Sequence, residues 1–318
     1  MSLNRRIFLG TAAATALNFA RGATSYSLVP DPAGKTVLDA SGKTVFSYLT
    51  SKPEGVPLAG NSVCCFHPLN TPSGERVTDI APADHRDHRG VFFAWQNLEF
   101  HRASGVVRGD FWGWGRFAPK EGRVIQNNEI RLVAANASSA EIAIQNDWKV
   151  DGETMMKEYN TARTSEHKGA RLLDLTYRFE STDGEIVVAQ GAFTGLCVRC
   201  RKDGDATYAN AQGKVDLPDS NALKPEMNWP VADWYSRTIA LQSGKTVTAA
   251  LVDHPKNPES TWHEPRSVAF LNPCISALRP VTMPAGSPFI LRYRVIAMDG
   301  DVDIPAINAL AAEWRAAK

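Results

Sequence analysis

Alternation with a period of two governs this chain. In Leu173-Asp174-Leu175-Thr176-Tyr177-Arg178-Phe179, every second residue is apolar and the residues between them are polar. Successive side chains of a strand point to opposite faces, so this segment reads as an antiparallel strand with one buried and one wet face. Similar runs occupy residues 44–49, 129–134, 140–145, 185–189, 246–252 and 289–297. Turn pairs punctuate them: Ser41-Gly42, Asp151-Gly152, Asp183-Gly184, Asp203-Gly204, Ser243-Gly244 and Asp299-Gly300. Only the end has a helical period. Asp303-Ile304-Pro305 offers a start with proline in the first turn, and Ile307, Leu310, Ala311 and Trp314 share one helix face.

Many short strands without β-α alternation predict an all-β protein, a large two-sheet antiparallel β-sandwich with a short C-terminal helix. The 318 residues exceed what a simple sandwich of about a hundred residues needs. No break in composition divides the chain, and the Pro- and Asn-rich stretch 216–230 reads as an elaborated loop. A single sandwich domain is therefore expected over 24–318, preceded by a leader over 1–23. That leader carries Arg5-Arg6, then Phe8-Leu9 and a weakly apolar run from Thr11 to Ala20, the pattern of a twin-arginine export signal. It predicts a periplasmic or exported protein. No later run approaches the roughly 20 apolar residues that span a bilayer, so no membrane association is expected once the signal is removed. The formal net charge of +1 points to neither nucleic acid nor anionic lipid.

Five cysteines fit no disulfide framework. Cys64 and Cys65 are adjacent, and Cys197 and Cys200 lie in a strand-like run where residues three apart face opposite sides. With Cys274 they are expected to be buried free thiols. Gly-Lys-Thr-Val occurs at Gly34, Gly42 and Gly244, but a phosphate loop needs a further glycine five residues earlier, where Val29, Val37 and Ile239 stand. These are turns leading into strands.

The chemistry concentrates in Asp84-His85-Arg86-Asp87-His88-Arg89-Gly90, ahead of the apolar run Val91 to Trp95. Charges crowded at the mouth of a buried strand are costly for a core and useful for a site. His85 and His88 diverge on a strand but face one centre on a tight loop, which Pro82 and Gly90 favour. Three readings stay open. A metal site would add His254 or His263 and a carboxylate. A braced loop would pair these histidines and arginines with Asp84 and Asp87. A metal-free polar site would use histidine as acid or base and arginine to hold an oxyanion or hydroxyls. Trp95, Trp112, Trp114, Trp229, Trp234 and Trp262 fall beside polar motifs, and indole faces among Asp, Arg and His suit the C–H faces and hydroxyl rims of sugars. Trp148 and Trp314 read as core. The strand from Phe193 ends in Arg199, whose guanidinium could reach the same pocket.

Taken together, several segments resemble an uncharacterised bacterial family often labelled "methane oxygenase PmoA-like". The segments are His67-Pro68-Leu69 with Thr71-Pro72-Ser73-Gly74, Asp84-His85 through His88-Arg89-Gly90, Asp110-Phe111-Trp112-Gly113 and Gly195-Leu196-Cys197-Val198-Arg199. Asp253-His254-Pro255 with Asn257-Pro258, Trp262-His263 and Asn272-Pro273 follow in the same order. Members usually read Asp-His-Pro-His-His-Arg-Gly where this chain has Arg86 and Asp87, so a third histidine is missing. The resemblance implies a β-sandwich akin to the supersandwich of sugar mutarotases, and a carbohydrate role.

The expectation is an exported enzyme using acid–base chemistry on a sugar or oxidised sugar derivative, as lyase, epimerase or hydrolase, with a small molecule or glycan as substrate. His85 and His88 transfer protons or bind substrate, and His254 or His263 is the second partner. Asp110 serves as base or histidine-orienter. Arg89, Arg199 and Asp84 hold sugar oxygens, and Trp112 and Trp262 form stacking walls. The alternatives are a non-catalytic sugar-binding protein, or a metal-dependent oxygenase or hydrolase as the family label suggests. The sequence requires no cofactor, and a histidine-held metal stays open.

Overall fold

In the computed structural model, residues 25–316 are described; the export signal expected in 1–23 lies outside them. Two large sheets dominate. One has seven strands in the order Ser27–Asp31, Gly34–Leu38, Thr44–Leu49, Cys65–Leu69, Val91–Ala94, Gly195–Arg199 and Phe270–Leu271. The other has nine, in the order Gly213–Val215 at one edge, Gly204–Asn210, Trp234–Leu241, Thr246–Asp253, Phe289–Asp299, Ala170–Ser181, Glu153–His167, Ser139–Val150 and Arg123–Ala135. A four-stranded and a two-stranded sheet complete the all-β architecture. The expected fold class is the observed one, with two minor sheets added to the two large ones.

The large sheets pack through an aromatic layer. Phe93 lies 4.7 Å from Tyr177 and 5.0 Å from Phe179, and Trp95 lies 5.2 Å from Trp148, centroid to centroid. Each such ring removes roughly 150–250 Å² from water, on the order of 4–6 kcal/mol before conformational entropy is subtracted. The strand Ala170–Ser181 shows how the alternation works: Leu173, Leu175, Tyr177 and Phe179 face this layer, while Ala170 and Leu172 face the other way. The helix Ile304–Ala316 covers that outer face with Ile307, Leu310 and Ala311. Asp303 caps its start, accepting the Ala306 N–H at 2.9 Å. Trp314 packs only at the margin of this cluster.

The 15-residue strand Glu153–His167 leaves no clean alternation in the sequence because polar residues share its inward face with Met156 and Ala162. Glu158, Asn160 and Thr164 are all buried. Glu158 accepts from Asn146 Nδ2 at 2.9 Å and Trp148 Nε1 at 2.7 Å, and burial raises its carboxyl to about 7 despite those bonds. All five cysteines are buried and free, as expected, and burial pushes the thiols of Cys64, Cys65, Cys200 and Cys274 up to about 12. No helix among the described residues is long and apolar enough to cross a membrane.

Candidate functional site

Three neighbouring strands of the seven-stranded sheet end together. Val198 pairs with Val91 on one side and Leu271 on the other, and Arg199 pairs with Phe270. His88, just before the first of these strands, is therefore brought beside Arg199 and Phe270. The approach depends on Gly90, which sits at φ +54°; a Cβ there would meet the Phe66 carbonyl oxygen at 2.3 Å. Successive turns, His85 N–H to Pro82 O and His88 N–H to His85 O at 3.1 Å each, then stack the two imidazoles with centroids 4.6 Å apart. The tight-loop geometry expected for this pair is the one found.

Arg199 has no exposed surface and determines what His88 can do. Its Nη1 lies 3.2 Å from His88 Nδ1, and its Nη2 donates to both oxygens of Asp84 at 2.9 and 3.1 Å. A guanidinium only donates, so Nδ1 must accept and the ring proton must sit on Nε2. Burial, reinforced by the positive charge of Arg199, holds the His88 pKa well below the usual imidazole range. Asp84 is in turn bound by Lys202 Nζ at 3.1 Å. Burial opposes ionisation of Asp84, but the hydrogen bonds from Arg199 and Lys202 hold its carboxyl well below the ordinary range. His88 is thus a neutral ring with one N–H to offer.

His263 is locked in the opposite sense. Asn228 donates its amide N–H to the Ala192 carbonyl at 2.7 Å and to Thr261 Oγ1 at 3.0 Å, which fixes its Oδ1 as acceptor. That oxygen lies 2.9 Å from His263 Nδ1. The proton is therefore on Nδ1, and Nε2 keeps its lone pair. Burial lowers the pKa of this ring to about 3.

Both rings line one cleft of about 400 Å³, together with His85, Asp87, Trp112, Trp114, Arg116, Phe193 and Phe270, and the loop Ser220 to Leu223 forms a further side. Phe270 lies between the two histidines, 5.3 Å from His88 and 5.6 Å from His263. Asp87 is the single carboxylate of this lining, with Oδ2 3.9 Å from His88 Nε2. Arg116 lies over the Trp114 ring at 5.3 Å. The size is that of a small-molecule site, and the walls combine flat apolar faces with a few directed polar groups.

Several expected site residues do other work. His254 lines a different cavity with Asp253 and Arg315 and packs edge-on against Trp314 at 5.0 Å, so it is not the partner of His88. Trp262 is fully buried, bonded through Nε1 to the Ala232 carbonyl and packed on Tyr235; it is core rather than a stacking wall. Asp110 spends its carboxylate on the backbone N–H groups of Trp112, Gly113 and Gly115, and so shapes the loop instead of acting as base. Arg89 is fully buried over Phe92, donating to the carbonyls of Val63, Asp87, Trp112 and Phe111. It braces the loop and does not line the cleft. Arg199 and Asp84 stand behind His88 as positioning residues, and Asp84 opens onto a separate surface cavity.

Asp87, Phe193, Arg116 and Asn228 complete the site without having been singled out as site residues. Asp87 and Phe193 lay inside the motifs, whereas nothing in the spacing of Asn228 ties it to His263, 35 positions away. Among the described residues no group of three or more His, Cys, Asp or Glu side chains is arranged to hold a metal ion. Each of the two cleft histidines that are locked has already committed its Nδ1.

The fold and cleft define an all-β protein with a directed polar pocket at the end of its smaller main sheet. The chain belongs to the family described as "Family of unknown function (DUF6807)", which matches residues 35–312. No curated protein sequence matches it. Among solved structures it is similar to a galactose mutarotase related enzyme from Lactobacillus acidophilus, at 8% identity and TM-score 0.39, covering 87% of this chain and 97% of that one. It is also similar to the GH36 alpha-galactosidase AgaB from Geobacillus stearothermophilus, at 9% identity and TM-score 0.46, covering 86% of this chain and 41% of that longer one. A GalM/aldose epimerase homologue from C. elegans shows 8% identity and TM-score 0.37, over 87% of this chain and 99% of that one. At such low identity no residue role passes from them to this site.

Proposed function

We propose that this protein binds a sugar carrying a carbonyl group and moves a proton on the adjacent carbon, giving epimerisation or elimination. The observation that carries this reading is the pair of neutral histidines locked in opposite tautomers beside a single carboxylate. A neutral imidazole that cannot readily protonate is a poor general acid but a good hydrogen-bond donor to a developing enolate oxygen. His88 Nε2–H supplies that donor. Asp87 takes the proton from the carbon, the bonding pair becomes the enolate double bond, and negative charge moves onto the oxygen facing His88. In elimination, the protonated Asp87 returns its proton to the departing β-oxygen as the enolate collapses. In epimerisation, solvent water entering the open cleft protonates the carbon on its other face, and Asp87 gives its proton back to solvent. His263 Nε2 accepts from a sugar hydroxyl, while Trp114 and Phe193 hold the ring faces. Glycoside hydrolysis in its usual form needs two carboxyl groups flanking the bond, and the cleft lining offers one. The paired Arg5-Arg6 support twin-arginine export as the route to the compartment where this occurs.

The test is incubation with aldoses, glycosides and 3-keto-glycosides in deuterated water, read by mass spectrometry and proton NMR. The expected result is deuterium entry next to the carbonyl, or loss of the β-substituent, with Asp87→Asn slowing it at least about a hundredfold. Saturable sugar binding with neither exchange nor turnover would identify a non-catalytic binding protein. Hydrolysis of unoxidised glycosides would equally overturn the assignment.

A further inference from the structure

A second cavity, of about 510 Å³, lies against the edge of the nine-stranded sheet and is lined by Lys202, Lys214, Arg237 and Arg266, with Asp205 and Asp216 as its carboxylates. Three of the cations already have partners there or nearby: Arg266 pairs with Asp216, Lys214 lies 3.5 Å from Asp301 and Lys202 lies 3.1 Å from Asp84. Arg237 differs. It is only 4% exposed, its Nη1 donates to the Arg201 carbonyl, and its Nε has no partner. Its guanidinium lies 6.0 Å from the ring centroid of Tyr208, whose buried hydroxyl is also unpartnered. The buried carboxyl that Arg237 feels, Glu264, bonds to it through neither oxygen, and burial pushes its pKa well above the ordinary range. A buried guanidinium without a counter-ion is costly unless something completes it.

We propose that this cavity is a second ligand site that takes the oxyanion of a small acidic molecule, a carboxylate, sulfate or phosphate group, against Arg237. Lys202, Lys214 and Arg266 ring the position and add long-range attraction, and a guanidinium fork suits a bidentate oxyanion. The site depends on neither the sugar nor the proton transfer assigned to the first cleft. It does touch the same framework, because Lys202 also holds Asp84, which holds Arg199. An anion that draws Lys202 toward this cavity therefore competes with Asp84.

Isothermal titration of the folded protein with sodium sulfate, sodium phosphate and sodium glucuronate tests the proposal, with sodium chloride at equal ionic strength and glucose as controls. Saturable binding with Kd at or below about 1 mM is expected for at least one oxyanion and for neither control. Preference for glucuronate would assign a carboxylate, and preference for sulfate or phosphate a tetrahedral group; either supports the site. Arg237→Gln should abolish the binding. Should that variant fail to fold, Lys214→Glu decides: the side chain is exposed, and reversing its charge should weaken binding by at least about tenfold. No saturable binding up to about 20 mM, or binding unchanged in the deciding variant, would overturn the proposal.

Discussion

Replacing Arg199 tests the tautomer argument at its root. Arg199→Met keeps length and apolar bulk but removes the two bonds to Asp84 and the one to His88 Nδ1. Stripping one partner from a buried ion pair typically costs about 3–5 kcal/mol, because the other charge is stranded. Asp84 is not stranded: 29% of its side chain is exposed, and Lys202 Nζ remains at 3.1 Å. The expected loss is therefore that of hydrogen bonds to a charged group, about 1.5–3 kcal/mol, read as a shift in urea midpoint. The sharper readout is long-range proton–nitrogen NMR of the His88 ring. In the wild type it should show the Nε2–H tautomer alone, unchanged between about pH 5.5 and 8. In Arg199→Met the lock and a neighbouring charge both vanish, so mixed tautomers and a titration nearer the ordinary value should appear. Arg199→Lys keeps the charge but not the fork, so tautomers should mix while the pKa stays depressed. A wild-type His88 carrying its proton on Nδ1, or titrating near the ordinary imidazole value, would refute the reasoning and with it the donor role.

The same geometry fixes three other outcomes. Gly90→Ala should cost at least about 2 kcal/mol by chemical denaturation, since the residue combines a left-handed φ with a 2.3 Å approach to the Phe66 carbonyl; a neutral effect would mean the loop relaxes freely. Trp114→Ala should weaken sugar binding about tenfold while leaving stability nearly unchanged. Trp262→Ala should do the reverse, losing about 3–5 kcal/mol of stability because its fully buried indole leaves a cavity; equal effects of the two on binding would sink the assignment of Trp262 to the core. His263 has a folded pKa of about 3, below its unfolded value near 6.5, so the unfolded state takes up more protons as pH falls. Its contribution is full above about pH 6.5 and declines by about 1.4 kcal/mol per unit below it. The stability difference between wild type and His263→Gln should accordingly shrink by about 2–3 kcal/mol between pH 6.5 and 4.5. A difference constant with pH would show that the ring is not held neutral.

How much of this was legible in the chain depends on which physical signal each residue leaves. Leu173 to Phe179 announced its strand because one face is apolar, whereas Glu153–His167 did not, because the inward Glu158 and Asn160 erase the contrast that alternation relies on. The loop pair His85 and His88 was readable, since Pro82 and Gly90 bracket a turn that brings positions three apart together. The remaining site assignments strained against the same period of two that revealed the fold. In Trp262-His263-Glu264 the middle side chain reaches the cleft, while Trp262 packs against Tyr235 and Glu264 lies buried with Arg237 near the second cavity. Likewise His88 faces the cleft and Arg89 turns to the Val63 carbonyl. A dense polar motif at a strand end therefore supplies cleft side chains interleaved with buried, bracing ones. Where motifs of comparable composition end on different strands, composition cannot separate them: His263 is joined to the site by the Trp229–Trp262 bridge, and His254 ends a strand beside the helix. What distinguishes the two histidines is register, a property of pairing across long stretches of chain. The orienting partner Asn228 is positioned by that same pairing, so it becomes identifiable only once the strands are set side by side.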